Sequence, residues 1–197
     1  MHYLSMFAIL ISWQFFVSAF QRGADSIASN QHLIHRIKFP LILLPISVVL
    51  SSLIDAFVNL LTLFVLMVIL KKIIFLKILC LLSVLLISSI FISALCILSS
   101  LLVSFWRDVK HAIPFLTRIS LVALPILYSE DIFSCSFKLF YEKIPLVWMI
   151  LKTKEIFNNN FYFLPLDILS VVLVSIIFLF IVYIGFKKFE PLIVDYI

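Results

Sequence analysis

The residues best suited to chemistry in this chain are few, and they are scattered. His32 and His35 stand three apart, a spacing that puts both imidazoles on one face of a helix, and His111 is a third that could join them. A catalytic metal or an acid–base pair would need carboxylates beside them, and no nearby carboxylate pair completes such a set, so no metal site is expected. Cys80, Cys96 and Cys135 lack metal-ligand spacing, and two of them lie inside apolar runs, as ordinary buried thiols do. The two glycines, Gly23 and Gly185, cannot build a phosphate loop or a dinucleotide fingerprint. Asp55 and Arg118 are different, because each interrupts a long apolar stretch. An ionised group at mid-membrane costs at least about 2.5 kcal/mol, so such a charge is either functional or satisfied by a neighbour. For Asp55 the neighbours in reach are Ser51, Ser52 and Asn59, or Arg118 itself from an adjacent helix.

The elements that position these residues follow from composition. Of 197 residues, 64% are hydrophobic and 13% charged, with a mean hydropathy of +1.26. Globular domains run near 45 to 50% apolar and about 25% charged, so one water-facing surface could not hide this much apolar side chain, and the solvent must be a bilayer. The net charge of +5 comes with no basic run longer than two residues. Lys71-Lys72 and Lys187-Lys188 flank apolar segments as membrane-end anchors, and no nucleic-acid partner is expected. An all-α integral membrane bundle with five spans is predicted, at about residues 4–21, 44–70, 78–104, 112–129 and 168–186, against the roughly 20 apolar residues that cross the hydrocarbon core, so that the 27 residues of the second must tilt or protrude. The third span is rich in serine, which lets neighbouring helices approach closely, and Pro114 and Pro125 predict a kink in the fourth. Residues 130–166 are the longest non-spanning stretch. Their aromatics and short apolar pieces fit re-entrant or interfacial helices.

Several pieces of wording, in order, narrow this further. WQFF at Trp13–Phe16 ends an apolar run, SNQHLIHRIKFPLILLP runs from Ser29 to Pro45, and LSSLID opens the next span at Leu50–Asp55. FWRDVKHAIPFL follows the third span from Phe105 to Leu116, then LPILY at Leu124–Tyr128, and the last span finishes in FKKFEPLIVDYI. This series resembles the permease subunit of type-2 ABC exporters for polysaccharides, the group that moves O-antigen of lipopolysaccharide, capsule and teichoic acid chains. The resemblance covers nearly the whole chain as one transmembrane domain. It departs from the family pattern in three places. Members usually begin with a cytosolic amphipathic helix and one more span, whereas Met1 here precedes what corresponds to the second span. Arg118 stands where a neutral polar residue is usual, and Ile144-Pro145 where asparagine-proline is usual.

Counting positive charge on the two sides gives eight against seven and decides no orientation. The resemblance implies one: residues 21–40, 105–111 and the C-terminus face the cytosol, and 130–166 form an external gate. It implies a multi-pass homodimer in a bacterial inner membrane. The chain itself would hold no cofactor and perform no catalysis, with ATP and magnesium on a separate ABC ATPase subunit and a lipid-linked polysaccharide as cargo. Residues 22–38 would be the coupling segment, with Asp25, His32, His35, Arg36 and Lys38 as its polar handles and Arg107 and Asp108 beside it. The alternative for that segment is an interfacial helix that only snorkels its basic residues to lipid headgroups. Trp13, Phe15, Phe16, Tyr128, Tyr141 and Trp148 are candidates to line a glycan path, since aromatic faces stack on sugars without demanding a particular linkage. The competing role is interfacial anchoring. A related exporter of lipid or drug, a membrane-embedded enzyme, and a shortened copy acting only as a scaffold are the rival readings.

Overall fold

The computed structural model describes residues 2–31, 40–71, 75–126, 141–158 and 165–196. Every longer regular element among them is an α-helix: α1 (His2–Ala24), α2 (Leu43–Ile69), α3 (Phe75–Phe105), α4 (Val109–Ala123), α5 (Pro145–Phe157) and α6 (Pro165–Tyr196), with a short 3-10 turn at Ala28–Asn30. Four of these helices are long and apolar enough to cross a membrane, within Tyr3–Ala24, Leu43–Ile69, Phe75–Phe105 and Leu166–Ile193, which marks the chain as a membrane protein.

Burial and polarity divide the labour among them. In α1, the least apolar of the four, 56% of the spanning stretch is buried inside the protein, against 17% in α6, the most apolar. A helix facing lipid must be apolar all round, while an interior helix can carry small and polar residues. α1 accordingly brings Ala8, Ser12, Ala19 and Gly23 to its buried side and packs against α2, α3 and α5. α6 packs chiefly on α3. Its outer residues Leu166, Ile177, Phe180 and Ile181 are all more than half exposed.

α1 and α3 approach each other closely around Gly23. The Cys96 thiol donates to the Ala19 carbonyl at 3.3 Å, and a Cβ added at Gly23 would lie 2.7 Å from Cys96 Sγ and 2.8 Å from its Cβ. Serine in α3 plays the part expected of it. Ser99, Ser100 and Ser104 are buried, and their hydroxyls donate to carbonyls three or four residues back, so they need no partner on another helix and behave as small residues.

The expected fourth span coincides with α4, which is shorter than the expectation. Its 15 residues reach about 22 Å, below the roughly 30 Å hydrocarbon core. Proline explains the end: Leu124, just before Pro125, is extended at ψ 146° and closes the helix, because a residue preceding proline is driven out of the helical region. Pro125 therefore stops this helix instead of kinking it.

α5, 13 residues opened by Pro145, comes from the stretch read as re-entrant or interfacial. It is buried along nearly its whole length between α1 and α3. Thr153 and Ser12 share a hydrogen bond of 3.2 Å in this contact. At the other end of α5, Lys77 Nζ donates to the Phe157 carbonyl at 3.4 Å and lies 5.5 Å from the Phe157 ring centre, placing a cation on the negative pole of the helix.

The tight α1–α3 crossing makes a specific demand. Gly23→Ala should destabilise the folded bundle by about 1 to 3 kcal/mol, the usual scale of overpacking. Cys96→Gly in the same chain should return part of that loss, measured as thermal stability of the detergent-solubilised protein.

Candidate functional site

Polar side chains concentrate at one end of the bundle, around the last turn of α1. Arg22 serves three acceptors there. Its Nε donates to the Ser18 carbonyl at 3.3 Å, and one terminal nitrogen donates to Ser52 Oγ at 3.0 Å and Asp55 Oδ2 at 2.7 Å on α2. The Ser52 hydroxyl donates to the Val48 carbonyl at 2.9 Å, which leaves its oxygen free to accept from Arg22. A basic residue in the last turn also complements the carbonyl end of α1.

On the other side α1 is tied to α4. Gln21 Nε2 donates to Thr117 Oγ1 at 2.8 Å, Thr117 in turn donates to the Pro114 carbonyl at 2.9 Å, and Lys110 pairs with Asp25 at 2.8 Å. The chain then turns over this end. Ser26 donates to the Gly23 carbonyl at 2.6 Å and Asn30 Nδ2 to the Ser26 carbonyl at 2.7 Å. Where the chain returns at Leu41, its N–H donates to Glu190 of α6 at 3.0 Å. The starts of α2 and α4 and the ends of α1, α3 and α6 therefore share this end of the bundle. Between α1, α2 and α4 lies an open cleft of about 500 Å³ lined by Gln21, Arg22, Asp25, Ser26, Ser29, Asn30 and Lys110, with Ala24, Val48, Ile113 and Pro114 as its apolar part.

The expected site residues divide accordingly. Asp25 joins this cluster, whereas His32, His35, Arg36 and Lys38 lie outside the described residues. Arg107 and Asp108 are exposed in the turn from α3 to α4 and form no ion pair with each other. Asp55 is satisfied at this end by Arg22, not by Arg118, which is exposed on α4. The idea of an Asp55–Arg118 pair is corrected here, because α1, and not α4, packs against α2. Ser52, expected as a neighbour of Asp55, is a member, and Gln21, Arg22, Lys110 and Thr117 are members that sequence reasoning missed. Polar residues recurring at Gln21, Arg22 and Asp25, at an otherwise apolar helix end, were the available signal.

Among the aromatics, Phe15, Phe16 and Trp148 are in the apolar core, and Phe16 stacks on Phe20 at 5.6 Å. Trp13 is half-buried against the same core, and its indole N–H, like that of Trp148, is buried without a hydrogen-bond partner. Tyr141 donates its hydroxyl to the Ala123 carbonyl at the end of α4. Tyr128 lies outside the described residues. Among the described residues no three His, Cys, Asp or Glu side chains converge. The chemistry available at the cluster is reversible ion pairing and hydrogen bonding between helices, with a charged cleft open beside them.

No family model matches the chain, and no curated protein matches it either.

The Arg22–Asp55 pair leaves its two side chains 47% and 56% exposed, so its coupling should be on the order of 0.2 to 1 kcal/mol. Arg22→Asp and Asp55→Arg should each lower thermal stability, and the swapped double variant should recover part of the loss. The same swap between Asp55 and Arg118 should recover none.

Proposed function

We propose that this chain is the transmembrane permease subunit of an ATP-driven exporter that moves a lipid-linked polysaccharide of O-antigen, capsule or teichoic acid type across a bacterial inner membrane. The observation that carries the reading is the Lys110–Asp25 pair, formed across 85 positions of sequence. It ties the start of the coupling segment, 22–38, to the 105–111 stretch, and the resemblance assigns both to the side that meets the ATPase. Glu190 on Leu41 N–H brings the end of α6 to the same place, as that arrangement requires.

In this reading two copies form the conduit, and ATP and magnesium are held by a separate ABC ATPase. Closure of that ATPase would push on residues 22–38 and so on α1, which has direct ties to both α2 and α4. A stiff helix anchored on two neighbours is a suitable lever for such a push. α4 with the chain beyond it would complete a fifth pass, and residues 130–166, including α5, would form the external gate. Transport of another lipid or of a drug by the same plan, and a scaffold without transport, are the alternatives that the experiment must separate.

Affinity purification of the full chain from its own membranes should bring down an ABC ATPase, and Arg36→Glu with Lys38→Glu should abolish that association while the chain stays in the membrane. Deletion should deplete surface carbohydrate. Absence of an ATPase partner would overturn the exporter reading, and unaltered surface glycan would overturn the choice of cargo.

A further inference from the structure

Arg118 stands apart from the polar cluster. It is exposed, and among the described residues it has no hydrogen-bond or ion-pair partner. His111, Phe115, Arg118 and Val122 follow one another at spacings of four, three and four, which makes one stripe along α4. At about 100° per residue this stripe points away from Ile113 and Thr117, the side that α4 buries. Phe115 and Val122 are 64% and 67% exposed, so an apolar surface and a lone guanidinium share one outward face. Its height follows from the contacts of α1. Thr117 accepts from Gln21, so Arg118 lies level with the last turn of α1. That turn meets Cys96 of α3, and the ring contacts Phe91–Phe178 and Phe105–Phe189 align α3 with α6, whose uncharged run ends at Lys187. Counting 1.5 Å per residue along α3 puts the Arg118 backbone on the order of 10 Å inside the level of Lys187, with the start of α4 close to that level.

We propose that the outward stripe of α4 seats an anionic glycerophospholipid, with its phosphate on Arg118 and its acyl chains along Ile119 and Val122. A side chain leaves its helix tilted toward the N-terminus, which here is the direction of the headgroups. The guanidinium therefore extends past Phe115 toward the headgroup layer, and an unpaired cation at this depth is costly until an anion meets it. A phosphate suits the planar fork, which can give it two parallel N–H bonds. His111, nearer the water on the same stripe, offers its imidazole to the outer part of the headgroup. Charge complementarity selects an anionic lipid over a zwitterionic one. An ammonium or choline would approach Arg118 and find no carboxylate on the stripe to receive it: Asp25 is held by Lys110, and Asp108 lies in the turn below, beside Arg107. The inference needs only a membrane location and stands apart from the transport reading.

The test places the full chain in phosphatidylcholine nanodiscs doped with equal traces of phosphatidylglycerol or phosphatidylethanolamine, each carrying the same photoreactive diazirine on an acyl chain, and maps the cross-links by peptide mass spectrometry. On the α4 peptide, phosphatidylglycerol should label about tenfold over phosphatidylethanolamine, the size of one charge-assisted hydrogen bond. Arg118→Gln should erase that preference on α4, and Lys187→Gln with Lys188→Gln, on the exposed end of α6, should leave it unchanged. Arg118→Lys keeps the charge and should keep most of the preference, which leaves the test decisive if the glutamine variant does not fold. Equal labelling of α4 by the two lipids in the unmodified chain, or a preference that persists in folded Arg118→Gln, would overturn the proposal. So would an α4 that neither lipid labels, with Val122→Cys forming a disulfide between two copies, because the stripe would then be covered by a second chain.

Discussion

The structure depends on satisfying polar groups inside a solvent that offers them nothing. In a bilayer each unmatched backbone or side-chain group costs several kcal/mol, so polarity is placed mostly where the protein supplies its partner, with the Trp13 and Trp148 indole N–H groups and the Ser88 hydroxyl the exceptions among the described residues. α1 shows how. Its backbone is internally bonded, its serine at position 12 meets Thr153 and its own helix, and charge waits until Arg22 in the last turn and Asp25 just beyond it, where α2 and α4 bring matching groups. α3 solves the same problem at Ser99, Ser100 and Ser104 by turning their hydroxyls back on its own carbonyls. The lipid-facing helix α6 largely avoids the problem by being apolar.

That constraint also explains which features could be read from the chain alone. Spanning helices are legible because hydropathy is local: a run such as Leu43–Ile69 announces itself whatever surrounds it. The small residues of α3 were legible for the same reason. Lateral neighbours were not, because nothing in the two sequences says which helix stands beside α2, and Asp55 could be assigned to Arg118 as readily as to Arg22. The end of α4 was a local signal read the wrong way, since the residue before Pro125 terminates the helix. α5 is the opposite case. A 13-residue helix whose apolar part ends at Leu151 is ambiguous between surface and interior, and only the packing of α1 and α3 around it decides.

The aromatics illustrate a further limit of reading residue type alone. Phe15, Phe16 and Trp148 have the chemistry to stack on sugar, yet they occupy the core and contribute volume where helices meet. The polar end of the bundle was half legible. Asp25 stood out by its charge, while Gln21 and Thr117, an uncharged pair on two different helices, gave no sign in sequence of finding each other.

Arg22 has a consequence for geometry as well as for charge. Ser52 and Asp55 are three residues apart, so they occupy one strip of the α2 surface, and a single guanidinium nitrogen touches both. Such an attachment fixes azimuth in addition to distance: rolling α2 by one residue, about 100° on its own axis, would carry both acceptors out of reach together. The guanidinium thereby acts as an angular key, and the outward orientation of the apolar strip Leu50, Ile54 and Val58 is set from the opposite side of the helix.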